Sequence, residues 1–132
     1  MSAPQRRGGG SVVTANTLET ATRQASELVQ LPGGWDSYGA KPVSSDAARA
    51  ATTLMVEAAS AVPNLAAPAV VPTVRGGLQL EWHRQGVDLE IEFEPDGSGS
   101  WFAEDRETEE AVARPLLDED AALRRWLGRA SA

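Results

Sequence analysis

The sequence predicts an α+β fold with two N-terminal helices, an antiparallel β-meander of about four strands, and a C-terminal helix. Two segments before Pro63 carry apolar residues at three- and four-residue spacing, which is typical of amphipathic helices. Two segments between residues 78 and 94 alternate apolar and polar residues, which is the period of half-buried strands. A third amphipathic segment, residues 118–129, closes the chain. We therefore expect a meander with one face covered by the helices.

The bulk composition indicates one globular domain. The 132 residues suit a single core, and 42% apolar with 23% charged residues is the balance of a folded rather than a disordered chain. We expect a flexible tail at residues 1–13 and a single domain over residues 14–132. The absence of cysteine excludes a disulfide scaffold, a thiol nucleophile and a thiolate zinc site. The absence of cysteine is also typical of cytoplasmic proteins. No apolar run approaches the ~20 residues of a membrane span, so we expect a cytoplasmic protein.

The first half of the chain is predicted to be helical. Helix one spans residues 15–30 and helix two spans residues 45–62. The apolar face of helix one consists of Leu18, Ala21, Ala25, Leu28 and Val29. Pro32 ends helix one, because proline cannot continue the hydrogen-bond ladder. Ser44 or Ser45 is expected to cap the start of helix two.

The strongest signal in the sequence is a β-hairpin. Residues 78–83, "LQLEWH", and residues 87–94, "VDLEIEFE", alternate strictly, and the Gln-Gly dipeptide between them fits a two-residue turn. The register that this turn sets gives three core-facing pairs: Trp82 with Leu89, Leu80 with Ile91, and Leu78 with Phe93. A strand near residues 70–74 precedes the hairpin, and Pro72 makes it an edge strand, because proline cannot donate to a central ladder.

The meander continues beyond the hairpin. The turn "EPDGS" leads into a strand at residues 98–104, so the strands together occupy about residues 69–104. In this strand Trp101 and Phe102 must point to opposite faces. Residues 104–117 are predicted to be an acidic connection without secondary structure. The closing helix carries acidic residues at its start and arginines near its end, which matches the helix dipole.

Charge is distributed unevenly along the chain. The formal net charge is −7, and residues 1–66 are balanced, so residues 67–132 carry all of it. The segment from Asp88 to Glu110 holds ten acidic residues and one basic residue. Such a surface repels nucleic acid phosphates and anionic membranes, so we expect neither as a direct partner. It attracts a basic protein, although a solvated face that keeps the protein in solution is the alternative.

The predicted register also pairs polar residues on the other face of the hairpin. Glu81 lies opposite Glu90, and His83 lies opposite Asp88. Because like charges directly opposite one another destabilise a sheet, the Glu81–Glu90 pair suggests a surface prepared for a cation or a basic partner. Acid–base catalysis by these carboxylates with His83, or binding of Ca²⁺ or Mg²⁺, are the other interpretations.

Several catalytic and cofactor sites are excluded. His83 is the only histidine, so one chain cannot supply two histidine ligands or an H-E-x-x-H motif. No G-x-S-x-G motif is present for a nucleophilic serine, and no G-K-[ST] motif for a phosphate loop. We therefore assign no catalytic residue, no metal ligand and no cofactor.

The segment "LPGGWDSYGAKPVSS", residues 31–45, connects the two predicted helices and is called the corner below. Asp36 is expected to accept a hydrogen bond from the Tyr38 N–H in an Asx-turn, and Gly39 permits a positive φ. Trp35 would then close the end of the helix pair. The alternative is that Trp35 and Tyr38 form a binding hot spot on a rigid loop.

The corner and the hairpin together resemble a group of small bacterial proteins. These proteins share a "GWDSYGA-x-P" corner and a "GGLQLEW…G-x-DLEIE" hairpin in the same order, which covers roughly residues 31–98 here. The resemblance implies a small bacterial or phage protein from a compact gene unit, in which one small protein often binds another. It implies no catalytic role for any residue.

These observations favour a non-catalytic module that binds a basic protein, as an antitoxin, an immunity protein or a phage-encoded inhibitor does. The candidate partner-binding residues are Glu81, His83, Asp88, Glu90, Glu92 and Glu94 of the hairpin, with Trp35 and Tyr38 of the corner. A carboxylate-based, metal-dependent enzyme that uses Glu81, Glu90, Glu92 and His83 is one alternative. A structural or oligomerisation domain is another.

Overall fold

Five strands form one antiparallel sheet in which every strand pairs with its neighbours in sequence. The computed structural model describes residues 17–36 and 39–132. Within these residues the elements are α1 (17–29), α2 (Ser45–Ala61), β1 (Ala69–Pro72), β2 (Leu78–Arg84), β3 (Val87–Phe93), β4 (Gly99–Asp105), β5 (Ala111–Pro115) and α3 (Ala121–Ser131). The predicted α+β class is confirmed, but the meander has five strands rather than about four. The predicted tail, residues 1–13, lies outside the described residues.

The β2–β3 hairpin has the predicted register. Trp82 pairs with Leu89, Leu80 with Ile91, and Leu78 with Phe93, and all six side chains are buried. The turn residues Gln85 and Gly86 have φ values of 55° and 73°. Positive φ at both central positions is the geometry of a type I′ turn, whose twist matches that of the flanking strands.

The core lies between the inner face of the sheet and the helices. The sheet contributes Leu78, Leu80, Trp82, Leu89, Ile91, Phe93, Trp101 and Ala103, all of them buried. The long helices α2 and α3 pack against β2 and β3 and contribute Ala47, Ala51, Met55, Ala58, Leu123, Trp126, Leu127 and Ala130. Because α2 presents mostly alanine, its backbone lies close to the large side chains of the sheet. Each fully buried large side chain stabilises the fold by roughly 1.5–3 kcal/mol.

The first two helices lie close to their predicted positions. Helix one was predicted at residues 15–30; residues 17–29 are helical, and residues 15–16 lie outside the described part of the chain. Its buried Ala21 and Ala25 lie beside Met55 of α2 and Leu80 of β2. Helix two ends at Ala61, one residue earlier than predicted.

Ser44 is the N-cap of α2. Its side-chain oxygen accepts from the Ala47 N–H at 3.0 Å, so it satisfies one of the donors that a helix start leaves free. The same hydroxyl donates to the Pro95 carbonyl at 2.6 Å, which joins the start of α2 to the β3–β4 turn. Of the two serines that the sequence offered as caps, the first takes the role.

The prediction of an acidic connection over residues 104–117 is wrong, because it contains β5. Ala111 to Pro115 pair with β4, so that Phe102 lies opposite Ala113 and Trp101 opposite Arg114. Asp105 folds the residues before β5 into a tight turn, accepting from the backbone N–H groups of Glu107 and Thr108 at 2.8 and 3.1 Å. The five acidic residues between 104 and 110 are as typical of an exposed connection as of a turn between two strands.

The closing helix was predicted at residues 118–129 and instead spans Ala121–Ser131. Asp120 is its N-cap and accepts from the Leu123 N–H at 3.1 Å. Glu119 has a φ of 50°, a left-handed conformation that cannot belong to a right-handed helix. The acidic residues expected in the first helical turn therefore belong to the turn before the helix and to its cap.

Two buried tryptophans of the sheet donate their indole N–H groups to segments next to the helices. Trp82 Nε1 donates to the Ala66 carbonyl at 2.8 Å, which fixes the segment between α2 and β1. Trp101 Nε1 donates to Asp120 Oδ2 at 3.0 Å, which fixes the start of α3 against β4. Each bond satisfies a polar group that would cost about 1–3 kcal/mol if it were left unpaired in the interior.

The sheet has β1 at one edge, as Pro72 predicted, although the strand covers Ala69–Pro72 rather than residues 70–74. At the other edge lies β5. In the part of the chain that the structure describes, no helix has the length and apolar character needed to cross a membrane.

Gly77, immediately before β2, is required by its contact with the hairpin. A Cβ at this position would overlap the backbone carbonyl oxygen of Phe93. We expect Gly77→Ala to destabilise the protein by about 1–3 kcal/mol, because the two strands must separate to admit the methyl group. The matched control is Gly128→Ala in α3, where nothing lies within 4 Å of the added methyl. It should raise stability by up to about 1 kcal/mol.

Urea denaturation of the two variants and the parent measures both effects. Equal stability of Gly77→Ala and the parent would contradict the close approach of Gly77 to β3.

Candidate functional site

The helices cover one face of the sheet, and the other face is the open face. Its residues alternate with the core residues along β2, β3 and β4: Gln79, Glu81, His83, Asp88, Glu90, Glu92, Ser100, Phe102 and Glu104, with Glu94 just beyond β3. The strand pairing brings the six hairpin residues predicted from the sequence onto this one face. Glu81 lies opposite Glu90, and His83 lies opposite Asp88, as predicted.

One end of the open face is an ion-pair network around His83. His83 Nδ1 lies 2.8 Å from Asp88 Oδ1, and His83 Nε2 lies 3.2 Å from Glu81 Oε1. Arg106, from the β4–β5 turn, donates through Nη1 to Asp88 Oδ1 at 2.6 Å. When the imidazole is protonated, both of its N–H groups donate to carboxylates, so His83 carries a positive charge into an acidic surface.

These contacts shift two pKa values in opposite directions. The hydrogen bond to Asp88, followed by the one to Glu81, raises the pKa of His83 above its ordinary value of about 6.5. The hydrogen bond from His83, followed by the one from Arg106, lowers the pKa of Asp88. Both directions favour the charged pair, so His83 is protonated over a wider pH range than a free histidine.

The other end of the open face is held by Arg75 from the β1–β2 loop. Its Nη2 lies 3.5 Å from Glu92 Oε2 and 3.6 Å from Glu94 Oε1. The Arg75 side chain is largely exposed, so each pair stabilises the fold by about 1 kcal/mol or less. Arg75 therefore organises these carboxylates without neutralising the face.

Glu90 occupies the centre of the open face. Among the described residues it has no ion pair, and its direct neighbours across the two strand pairs are Glu81 and Phe102. Phe102 is 38% exposed, an unusual position for a large apolar ring in the middle of a sheet. A shallow cavity of about 290 Å³ opens beside them, over the small Ser100 side chain and against Glu92.

The sequence did not identify Phe102, Arg75 or Arg106 as parts of this site. The signal for Phe102 was available, because an inward Trp101 forces its neighbour outward in a strand. No local pattern could indicate Arg75 and Arg106, because each reaches the open face from a turn outside β2 and β3.

Glu81, His83 and Glu90 are the residues of the open face that could hold a divalent cation. One ligand atom from each lies within 4.8 Å of the others. Asp88 would orient the imidazole through Nδ1, as a carboxylate commonly does behind a metal-bound histidine. An ion would have to displace Glu81 from His83 Nε2, since that nitrogen already has a carboxylate partner.

The corner is separate from the open face. Trp35 is half-buried and donates through Nε1 to the Lys41 carbonyl at 3.0 Å. Lys41 and Ser44 donate their backbone N–H groups to Val74 and Gly76 at 3.0 and 2.9 Å, so the corner is attached to the β1–β2 loop. These bonds favour the structural interpretation of Trp35.

Tyr38 lies outside the described residues, and so does the predicted Asx-turn bond from its N–H. Asp36 Oδ1 accepts from the Ala40 N–H at 3.0 Å, four residues along the chain. This bond closes the same loop as the bond from Trp35 to Lys41.

Asp88→Asn tests the His83 network. We expect the pKa of His83 to fall in this variant, because its largest stabilising contact is lost. The raised pKa of His83 gives stability that is fully present below about pH 6.5 and is lost as the pH rises through the folded-state value. The difference in the free energy of unfolding between parent and variant should therefore shrink as the pH rises through the folded-state pKa of His83. The lowered pKa of Asp88 acts separately, because its contribution is present above its ordinary pKa and is lost in acid.

NMR titration of the imidazole protons measures the His83 pKa directly. Asp96→Asn is the control, since Asp96 contacts Ser98 rather than His83. An unchanged His83 pKa in Asp88→Asn would contradict the network.

Trp35→Ala tests the corner. We expect a loss of about 1–2 kcal/mol in the free energy of unfolding, from reduced burial and the lost bond to Lys41. Trp35→Phe retains most of the ring area and should lose about 1 kcal/mol or less. Thermal melts compare the variants. A Trp35→Ala protein with an unchanged melting temperature and impaired partner binding would make the corner a binding surface instead.

The resemblance to small bacterial proteins that share the corner and hairpin motifs stays a prediction. No family model, curated protein or solved structure matches the chain.

Proposed function

We propose that the protein is a non-catalytic module that binds a basic protein through its open face. The observation that carries this proposal is the position of Glu90 at the centre of that face. Its carboxylate has no ion pair among the described residues, lies opposite Glu81, and adjoins the exposed ring of Phe102. A lysine or arginine of a partner would turn this repulsion into attraction.

Without a partner, the opposition of Glu81 and Glu90 costs the sheet free energy. Like charges directly opposite in an antiparallel pair are destabilising, by an amount comparable to the roughly 0.2–1 kcal/mol that favourable pairs contribute. His83 contacts Glu81, and Arg75 contacts Glu92, so each of these two carboxylates has a cationic partner. Glu90 has no such partner among the described residues. A partner cation at Glu90 therefore gains Coulomb energy and also removes a strain within the sheet.

Phe102 supplies the apolar part of the interface. A ring of this kind beside carboxylates can stack against a guanidinium group while the carboxylates pair with it, and cation–π contact of this type is worth about 0.5–2 kcal/mol. Ala113 and Ser100 next to the ring are small, so a partner side chain can reach it. The combination of an aromatic centre and a charged surround is typical of protein-binding surfaces.

The charge around the open face favours a basic partner over other macromolecules. The segment from Asp88 to Glu110, with ten acidic residues and one basic residue, forms β3, β4 and the turn after β4. This field would accelerate encounter with a basic protein and would oppose nucleic acid. An antitoxin, an immunity protein or an inhibitor needs an acidic surface of this kind when its target is a nucleic-acid-handling protein, because such a target presents a basic surface.

A matched pair of variants tests the proposal. The open-face variant combines Glu81→Gln, Glu90→Gln and Glu92→Gln. The control combines Glu27→Gln, Glu107→Gln and Glu109→Gln, which removes the same charge at exposed positions away from the open face. We expect the parent and the control to retain one discrete basic protein from a bacterial extract at low salt and to release it at about 0.5 M salt. The open-face variant should not retain it.

Two results would contradict the proposal. One is retention by the open-face variant equal to that of the control. The other is a rise in the parent's melting temperature with Mg²⁺, Ca²⁺ or Mn²⁺ that the open-face variant abolishes, because this would favour a metal site at Glu81, His83 and Glu90.

A further inference from the structure

A second concave surface lies away from the open face, between α2 and the segment that joins β5 to α3. We call it the side groove. Its cavity volume is about 780 Å³. One wall is a single face of α2: Asp46, Arg49, Ala50, Thr53, Leu54 and Glu57. The opposite wall is the chain from Pro115 to Asp118, and the β3–β4 turn closes one end.

The groove has an apolar floor. Leu54 and Leu116 are half-buried along it, and Leu117 at its rim is 62% exposed. Towards α3 the floor continues over Leu123 and Leu127 through a smaller cavity that shares Leu54 and Leu117. An apolar strip that continues from an exposed leucine to buried leucines is a common feature of protein-binding grooves.

Backbone contacts hold the walls of the groove against the sheet and the β3–β4 turn. Leu116 donates its N–H to the Gly99 carbonyl at 2.9 Å, and a Cβ at Gly99 would lie 2.9 Å from Leu116 Cδ2. Because residue 99 is glycine, the wall formed by Pro115 to Asp118 can lie directly against the sheet. At the closed end the Ser44 hydroxyl donates to the Pro95 carbonyl at 2.6 Å, and a Cβ at Gly97 would lie 3.3 Å from the Asp46 carbonyl oxygen.

The rim of the groove is acidic. Asp46, Glu57, Asp96 and Asp118 line the main cavity together with one basic residue, Arg49. Arg49 is already paired with Asp46, at 3.1 Å. The extension towards α3 adds Glu119 and Asp120 against Arg124. The groove thus combines an apolar floor with a net negative rim.

We propose that the side groove holds an amphipathic helix of a basic partner protein, with its apolar face on Leu54, Leu116 and Leu117 and its basic residues at the rim. The face of α2 from Asp46 to Glu57 is about 16 Å long, which matches three turns of a docked helix. Such a helix offers anchors at i, i+3 or i+4, and i+7. A second copy of this chain fits poorly, because its net charge of −7 would bring acidic surfaces together.

This inference does not rest on the proposed function of the open face, since the two surfaces use different carboxylates. The probe is a fluorescein-labelled synthetic peptide of about 14 residues, with leucines at i, i+3, i+4 and i+7 and lysines at the other positions. Its scrambled form, with the same composition, controls for charge. Fluorescence anisotropy measures the dissociation constants for the parent protein and its variants.

We expect the helical peptide to bind the parent at least about tenfold more tightly than its scrambled form. Leu117→Ser should weaken binding at least about fivefold without changing the melting temperature, because Leu117 is exposed. Thr53→Arg, at an exposed position on the α2 wall, should give the same loss by obstructing the groove. Glu107→Gln, at an exposed position in the β4–β5 turn outside both surfaces, is the matched control and should bind within about twofold of the parent.

Equal affinity of the helical and scrambled peptides would overturn the inference, and so would full binding by both Leu117→Ser and Thr53→Arg. A dimer in sedimentation analysis that dissociates in Leu117→Ser would also overturn it, because the occupant would then be a second copy.

Discussion

The register of the β2–β3 hairpin is the constraint on which the rest of the structure depends. Side chains alternate along each strand, so a slip of one residue would move Trp82, Leu89 and Ile91 to solvent and bring the carboxylates into the core. The turn at Gln85 and Gly86 fixes this register through two positive φ angles. One local feature therefore determines both the apolar face that the helices cover and the acidic face that stays open.

The same constraint explains why the charges on the open face are so close. Pairing of β2 with β3 places Glu81 opposite Glu90, and pairing of β3 with β4 places Glu90 opposite Phe102. The hairpin cannot relieve this opposition without losing its core pairs. The compensation comes instead from His83 within β2 and from two arginines on neighbouring turns, Arg75 and Arg106. The side groove depends on different contacts, chiefly those that hold Leu116 against Gly99.

The features that the sequence predicts well are those that follow from local periodicity and turn chemistry. Strict alternation and a two-residue turn are enough to give the hairpin and its cross-strand pairs. The missed strand β5, Ala111–Pro115, has no clear alternation of apolar and polar residues and follows an acidic turn. Only the Asp105 hydrogen bonds and the pairing with β4 show that the chain reverses there. The predicted start of α3 is three residues too early, because acidic residues are favoured both at an N-cap and in the first helical turn. Only the left-handed backbone of Glu119 shows that the acidic residues precede the helix. Arg75 and Arg106 could not be assigned to the site, since a loop's reach across a sheet depends on tertiary structure.

The central claim is that the open face, with Glu90 and Phe102 at its centre, is the surface that contacts a basic protein. Cross-saturation NMR of the isotope-labelled protein in complex with its captured partner tests this claim most directly, because it identifies the amides that lie at an interface. We expect the strongest transfer at the amides of Glu81, Glu90 and Phe102. Transfer confined to α1 and the corner, with none along β2, β3 and β4, would contradict it.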